Sequence, residues 1–194
     1  MQSDKERLLD DYLVTAARIG DRRALDHLVT RWSPRFLRHA YRLLGDESMA
    51  QDMAQEAWEQ ILRGLARLED ARAFPAWAYR IVTRRCARAI RQLEKHRNGQ
   101  KALAADPTPL ACEAADNEPA DSARRADMAL VLAALKTLPG PQRAALALFY
   151  MEDLSISEIA IVLEIPVGTV KTRLMHGRLK IRDIVKGTGD DQIG

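Results

Sequence analysis

The amino-acid sequence predicts an all-α fold made of two small helical domains that are joined by a flexible linker. Aromatic residues make up only 5% of the 194 residues while apolar residues make up 47%, and the abundance of Ala, Leu and Arg favours helices over sheets. Apolar residues recur at helical spacing in both halves of the chain. Between the halves lies a stretch with several prolines in which that spacing is lost.

The first predicted domain spans residues 1–97 and is helical throughout. Its first clear apolar pattern runs over residues 25–37, where we expect Pro34 to interrupt or kink the helix. Gly45 and Asp46 then form a break. A second apolar stripe follows over residues 50–65, with a polar face opposite it.

A loop over residues 64–74 separates this stripe from the next helix. Pro75 can occupy the first turn of that helix, because the N–H group that proline lacks has no partner there. Trp77 and Ile81 share one face of the helix. We therefore expect Trp77 to pack in the core rather than to stack on a base.

Charge is arranged in blocks along the chain. Residues 80–101 carry eight Lys or Arg and one acid, residues 106–122 carry five acids and no base, and residues 167–186 carry six bases and one acid. Two basic blocks around an acidic spacer are typical of a protein that contacts a polyanion twice, although solvated helix faces explain the blocks equally well. We interpret residues 98–124 as a flexible acidic linker, because they cannot bury enough apolar area to order themselves.

The second predicted domain spans residues 125–187 and is followed by a short tail over 188–194. Helical spacing resumes at Met128, the turn at 139–141 ends that helix, and a further helix reaches about Tyr150. Ser155 and Glu158 have the spacing of a capping box, in which each side chain bonds the other residue's backbone. A new helix begins near Val167, so the sequence predicts a helix-turn-helix.

The last predicted helix has one apolar face and one basic, polar face. At about 100° per residue, Val170, Leu174, Gly177, Ile181 and Ile184 fall on one line that we expect to pack on the domain. The opposite side presents Thr172, Met175 and His176, with Lys171 and Arg178 on one edge and Arg173 and Lys180 on the other. Such a face suits the major groove of DNA, since cations bind phosphates while the central side chains contact base edges.

Other classes of protein have little support in the sequence. The N-terminus has no apolar segment of a signal peptide, and no run of about 18 apolar residues suggests a membrane span. Cys86 and Cys112 form no CxxC pair, and the four histidines are scattered without metal-ligand spacing. We therefore expect a cytoplasmic protein without a metal, a cofactor or catalytic residues.

Five segments resemble motifs of the extracytoplasmic-function group of sigma-70-type RNA polymerase sigma factors. In the second domain they are LPGPQR at 138–143, LSISEIA at 154–160 and IPVGTVKTRL at 165–174. In the first domain they are AQDMAQEAW at 50–58 and FPAW at 74–77, the latter followed by Arg80 and Ile81. The helix-turn-helix occurs in other regulators too, so the first-domain segments are the more informative.

The resemblance implies a factor that directs core RNA polymerase to specific promoters and promotes transcription initiation. The first domain would bind polymerase and recognise and melt the −10 element, and the second would bind the −35 element as duplex DNA. An anti-sigma factor or another external regulator is a further candidate partner. The implied polymerase-binding residues are Asp52, Gln55, Glu56 and Glu59.

The DNA-binding residues divide between the two promoter elements. Those predicted for the −10 element and its melted strand are Leu68, Glu69, Asp70, Ala71, Arg80, Arg84, Arg85, Arg88 and Arg91. Those predicted for the −35 element are Thr169, Lys171, Thr172, Arg173, Met175, His176 and Arg178. The loop 68–71 would capture an extruded base, and the arginines would hold the displaced strand.

The chain departs from the family pattern at three places. Met49 and Gln51 stand where acids are common, which implies docking that is weaker or needs activation. Arg84 and Arg88 stand where Asn and Asp are common, so the family's −10 preference does not transfer. Glu164 replaces the usual glycine of the helix-turn, which costs on the order of 1 kcal/mol if that residue is left-handed.

A helix-turn-helix repressor or activator that binds operators without polymerase is the alternative. It explains residues 167–186 equally well, but it leaves the motif at 52–58 and the basic helix at 80–91 without a role. An enzyme would need a catalytic constellation or a phosphate-binding loop, and the sequence contains neither.

Overall fold

The computed structural model describes residues 4–100, 133–135 and 137–190, with side chains over 4–96, 133–135 and 137–183. Every regular element in these residues is helical, as predicted. The elements are α1 (Asp4–Arg18), α2 (Arg22–Leu44), α3 (Glu47–Leu65), a 3-10 turn (Ala71–Ala73), α4 (Phe74–Gln100), α5 (Gly140–Tyr150), α6 (Ile156–Leu163) and α7 (Val167–Asp190). Most of the predicted linker, residues 101–124, lies outside the described residues.

Two predicted boundaries differ from the observed helices. Helix α4 continues to Gln100, three residues into the predicted linker, and α7 continues to Asp190, three residues into the predicted tail. Pro34 was expected either to interrupt or to kink its helix, and the structure shows that α2 is not interrupted there. The residues two positions before and after the proline, Trp32 and Phe36, are buried, and this packing holds the helix although the proline removes one backbone hydrogen bond.

The ends of the first helices follow local rules. The Asp21 carboxylate accepts hydrogen bonds from two backbone N–H groups at the start of α2, and Asp46 accepts one from the Met49 N–H at the start of α3. Gly45, with φ 74°, ends α2 in the left-handed conformation, and its N–H donates to the Tyr41 carbonyl at 2.8 Å. Caps of this kind each contribute about 1 kcal/mol.

An aromatic cluster forms the core of the first half. Trp32 packs edge-on against Phe74 with ring centroids 5.1 Å apart, and Phe36 packs edge-on against Tyr79 at 5.5 Å. Phe74 is fully buried and Trp77 is half-buried against this core, which confirms that Trp77 packs in the core. These contacts fix α4 across α2 and orient the outward face of α4.

The second half contains the predicted helix-turn-helix. The Ser155 hydroxyl accepts from the Glu158 N–H at 3.2 Å, and the Glu158 carboxylate accepts from the Ser155 N–H at 2.7 Å, so the capping box is confirmed. Glu164 ends α6 with φ 54°. Its left-handed backbone carries the cost expected for a residue with a side chain there, on the order of 1 kcal/mol.

Helix α7 packs through its predicted apolar line. Val170 is fully buried and Leu174 nearly so, while Ile181 is half-buried. A Cβ atom on Gly177 would come within 2.6 Å of Leu146 Cδ1 in α5. The absence of a side chain at Gly177 is therefore what allows α5 and α7 to approach. The Ile184 side chain lies outside the described residues.

The two halves also pack against each other, α4 on α6 and α2 on α5. The sequence pattern did not predict this contact. In the described part of the chain, no helix combines the length and apolarity that crossing a membrane requires.

Candidate nucleic-acid and polymerase interface

The polar face of α3 carries the four predicted polymerase-binding side chains. Asp52, Gln55 and Glu59 are exposed, whereas Glu56 is half-buried. Asp52 and Glu59 lie seven residues apart and therefore on the same side of the helix. This side opposes the buried line through Ala54 and Ile61, so the face is open to a partner.

Arg85 of α4 forms an ion pair with Glu56, one of the four predicted polymerase-binding residues. Its guanidinium lies 2.7 Å from the Glu56 carboxylate and donates a second hydrogen bond to Gln60 at 3.2 Å. Arg85 was predicted to hold DNA and Glu56 to bind polymerase, but the structure brings the two together. The pair joins α3 to α4, so both groups already have a structural role.

The remaining arginines of α4 form a stripe. Arg80, Arg84, Arg88 and Arg91 follow each other in steps of four, four and three, which places them on one face of a helix. Arg84, Arg88 and Arg91 are exposed and Arg80 is half-buried. One Arg84 nitrogen lies 2.9 Å from the Glu164 carboxylate, an ion pair that links the two halves.

The predicted base-capturing loop precedes α4. Leu68 packs against the core and Ala71 is half-buried, while Glu69 and Asp70 are exposed. The Asp70 carboxylate accepts from both the backbone and the side chain of Arg72, and these hydrogen bonds lower the pKa of Asp70. Exposed carboxylates repel phosphates but can accept from base amino groups.

The outward face of α7 is largely as predicted. Lys171, Met175 and His176 are exposed, with 51% of Met175 accessible. Thr169 is half-buried at the start of the helix. The Thr172 hydroxyl donates to the Gly168 carbonyl at 3.0 Å, which occupies its proton and leaves only its oxygen to accept from a base.

Arg178 and Arg173 of α7 have different surroundings. The Arg178 guanidinium stacks on Phe149 and Tyr150 of α5, at 5.4 and 5.5 Å from the ring centroids. Stacking holds the charge in place without neutralising it. Arg173 is half-buried and lines a cleft of about 620 Å³ between the halves, together with Arg84 of α4.

Sequence reasoning missed Glu152, which lies in the turn between α5 and α6. Its side chain is 5% exposed and points into the first half, where it lies 2.5 Å from an Arg42 nitrogen. It also accepts a hydrogen bond from the Tyr79 hydroxyl, and one of its oxygens lies 3.9 Å from His39 Nδ1. No local pattern distinguishes this acid from a solvated one.

Burial perturbs the titration of this cluster. It lowers the pKa of His39 to about 3, and the Arg42 charge acts in the same direction. Burial also raises the pKa of the Glu152 carboxyl, opposed by the Tyr79 hydrogen bond and the Arg42 charge. The pKa of Tyr79 is raised well above its ordinary value by burial and by the Glu152 charge. His39 is therefore neutral near pH 7, and its Nε2 lies 3.0 Å from the Thr83 hydroxyl.

Comparison with known proteins covers both halves. The family description "Sigma-70 region 2" matches residues 28–96, and "Sigma-70, region 4" matches residues 128–181. The RNA polymerase sigma-H factor of Pseudomonas aeruginosa is 33% identical over 180 residues, which cover 87% of this chain and 90% of that protein. The ECF RNA polymerase sigma factor SigW of Bacillus subtilis is 31% identical over 171 residues, which cover 84% and 89%.

The fold has a counterpart among solved structures. It is similar to the sigma factor RpoE from Bartonella quintana, solved in complex with the anti-sigma factor NepR, with a TM-score of 0.68 and 18% sequence identity. The match covers 84% of this chain and 96% of that one. At this identity the likeness concerns the fold alone.

Proposed function

The chain belongs to the extracytoplasmic-function group of sigma-70 factors, and from this membership we propose how its residues divide the recognition of a promoter. It is an RNA polymerase sigma factor, which directs core polymerase to specific promoters and promotes the start of transcription. A sigma factor is not an enzyme, so its work consists of binding and positioning. We place it in the cytoplasm, where polymerase and promoters are.

The proposed division follows the two halves. Residues 1–97 bind core polymerase and recognise and melt the −10 element, residues 98–124 link the halves, and residues 125–187 bind the −35 element. The observation that carries this proposal is the pairing, within one half, of an exposed acidic face on α3 with an arginine stripe on α4. A helix-turn-helix regulator acting alone has no use for that pairing.

Polymerase docking is assigned to Asp52, Gln55 and Glu59. Glu56 belongs to the same face and would contact polymerase while it also pairs with Arg85. The acids of this face suit a basic partner surface, because complementary charge speeds association and excludes wrong partners. Met49 and Gln51 carry no charge at the edge of this face, which makes docking more sensitive to each remaining acid.

Promoter DNA is contacted in two places. Arg80, Arg84, Arg88 and Arg91 line up on α4 to hold the backbone of the melted −10 strand, while the loop 68–71 receives an unpaired base. On α7 the central side chains, Met175 and His176, read the −35 duplex. Thr172 lies beside them and can accept from a base through its hydroxyl oxygen. The remaining −35 contacts go to phosphates or position the helix, and their residues are Thr169, Lys171, Arg173 and Arg178.

A protein regulator is part of the proposal. The similar fold of RpoE was solved with the anti-sigma factor NepR, and a partner of that kind would cover the same faces that polymerase and DNA require. We propose an anti-sigma factor or another external regulator as a partner of this chain.

Charge reversal on α3 tests the docking assignment. We expect Asp52→Lys combined with Glu59→Lys to weaken binding to core polymerase by about tenfold or more, since like charges across an interface repel. The fold should be unchanged, because both side chains are exposed and the Glu59–Arg63 ion pair within α3 is exposed too. Affinity is measured by titrating fluorescent chain with core enzyme, and helicity by circular dichroism.

Asp26→Lys is the matched control, because Asp26 is an exposed acid on α2 outside the proposed docking face. It should leave affinity for core polymerase close to that of the wild type. If the α3 variant binds as tightly as this control while its helicity is normal, the docking face lies elsewhere.

Mutations at the centre of the outward α7 face should change the preference for a −35 sequence, whereas mutations at its edge should change the affinity for all sequences. His176→Ala should alter which −35 sequence is preferred, with a discrimination of about 1–3 kcal/mol at one base pair. Lys171→Ala should weaken all −35 sequences alike and reduce the salt dependence by about one charge. The measurement is transcription by the polymerase complex from single-base −35 variants at two salt concentrations. A uniform loss for His176→Ala, or a changed base preference for Lys171→Ala, would reverse the assignment.

A further inference from the structure

The contact between the halves brings one edge of each proposed DNA-binding surface to the same cleft. Helix α6 of the helix-turn-helix packs on α4, which carries the arginine stripe. Arg84 of that stripe pairs with Glu164 at the end of α6, and Arg173 of α7 lines the same cleft. While this contact holds, the proposed −10 and −35 surfaces stay at the separation of packed helices, and they can move apart only if the halves part.

One buried carboxylate connects the halves at the other end of the contact. Glu152 enters a pocket of the first half whose polar lining is built by three side chains of α2 and α4, namely His39, Arg42 and Tyr79. Arg42 is 15% exposed and Glu152 is 5% exposed, so the pair is largely shielded from water. All its hydrogen-bond partners named here belong to the first half.

The surrounding charges favour an anion at this position. A cavity of about 270 Å³ adjoins the pocket, and three arginines of α2 line it, together with the acids Glu6 and Asp153. Arg35 is engaged by Asp10 at 3.7 Å and by the face of Trp32. Arg42 therefore meets its counter-charge directly in Glu152, and the field of the neighbouring Arg38 also favours the ionised carboxylate.

Removing the Glu152 carboxylate is expected to favour separation of the two halves. Without Glu152, Arg42 would lose the carboxylate 2.5 Å from its guanidinium while staying largely shielded beside neutral His39, and breaking a buried pair by removing one member is strongly unfavourable. Separation of the halves would return Arg42 to water and relieve that cost. Glu164 is different, because its pair with Arg84 is 45% and 61% exposed and contributes little.

We propose that His39, Arg42 and Tyr79 form a carboxylate-receptor pocket, that Glu152 occupies it in the free chain and holds the two halves closed, and that docking on polymerase requires Glu152 to leave it. The last step rests on the proposed function, whereas the closed state of the free chain does not. The receptor recognises a carboxylate through one guanidinium and one phenol, a donor set that an acidic side chain of a protein partner also satisfies.

The test compares the wild type with three variants of the full chain. Glu152→Ala removes the carboxylate, and Tyr79→Phe removes only a hydroxyl from the receptor while keeping the buried ring. Glu164→Gln is the control, since it alters an exposed ion pair in the same interface. The radius of gyration of the free chain is measured by small-angle X-ray scattering, and affinity for core polymerase is measured by titration.

Glu152→Ala and Tyr79→Phe should both enlarge the free chain, and Glu152→Ala should raise the affinity for core polymerase by about tenfold, because the binding-competent open state is no longer a minor one. Glu164→Gln should change neither quantity appreciably. Helicity by circular dichroism verifies that each variant is folded.

Three outcomes would overturn the inference. A radius of gyration that stays at the wild-type value in Glu152→Ala would show that the carboxylate does not hold the halves together. Equal opening by Glu164→Gln would show that the buried pocket has no special part. If a variant opens but binds core polymerase no more tightly, the closed state of the free chain does not limit docking. The first two results are read from the free chain and do not depend on the proposed function. The third is scored only if the wild type binds core polymerase in the same titration, which distinguishes it from a failure of the proposed function.

Discussion

Replacing Gly177 by leucine is expected to destabilise the helix-turn-helix half by about 3 kcal/mol or more, the upper range for inserting a side chain into a packed core. A Cβ atom at this position would lie 2.6 Å from Leu146 Cδ1 and 3.2 Å from Leu146 Cγ. Leu146 is itself 2% exposed within α5, so its side chain could give way only by moving within the packed core. Helices α5 and α7 would have to separate, and the buried line of α7 would lose its partner.

Urea unfolding followed by circular dichroism measures this effect, with the aromatic core of the first half as an internal reference. Gly168→Leu is the matched control on the same helix, because a Cβ atom there meets nothing within 4 Å. The control should keep or slightly raise stability, since leucine is a better helix former than glycine. Wild-type stability in Gly177→Leu would mean that α7 does not pack on α5 as described.

Acidification is expected to destabilise the protein strongly through His39. The unfolded chain protonates this imidazole near its ordinary pKa of 6.5, but burial holds the folded-state pKa at about 3. Between these values the unfolded state binds more protons, so the free energy of unfolding falls as the pH falls from about 6.5 toward 3. The full difference corresponds to about 5 kcal/mol, which is fully present only above pH 6.5 and is lost progressively as the pH falls toward 3.

Glu152 opposes this trend, because its raised pKa favours the protonated folded state in mild acid. Urea unfolding at pH 7, 5 and 4 is therefore compared between the wild type and His39→Gln, which keeps a hydrogen-bonding group for Thr83 but cannot titrate. The variant should be less stable at pH 7 yet lose much less stability on acidification. An equally steep loss in both proteins would mean that His39 takes up a proton as readily in the folded chain as in the unfolded chain.

Local sequence signals predicted the elements well. Ser155 and Glu158 cap α6 because a capping box depends on a few neighbouring residues alone, and Gly45 ends α2 for an equally local reason. The buried line of α7, including Gly177, followed from helical periodicity. Such features need no knowledge of the rest of the fold.

Helical periodicity was weaker at assigning surface roles. It predicted that Arg85 and Glu56 point away from their helices' apolar stripes, but it could not indicate which neighbouring helix would meet them there. The structure shows that α3 and α4 bring the two side chains to 2.7 Å. One residue predicted for polymerase and one predicted for DNA are thereby engaged with each other.

The contact between the halves was beyond reach of sequence reasoning. Glu152 occupies a turn and is charged, which favours exposure, and nothing nearby in the sequence indicates its burial. Its partners His39, Arg42 and Tyr79 lie at least 73 residues away on faces that otherwise resemble core or surface. Only the packing of α5 and α6 on α2 and α4 brings the four groups together.

As a sigma factor, this chain should need core polymerase to select promoters, whereas an independent DNA-binding regulator would not. The most direct measurement is in vitro transcription from a promoter library with purified core polymerase, alongside binding of the free chain to the same DNA. The chain should bind promoter duplex poorly by itself and should direct core polymerase to a defined subset of promoters. Tight, sequence-specific binding by the free chain, with no promoter-specific transcript when core polymerase is added, would instead identify an independent regulator.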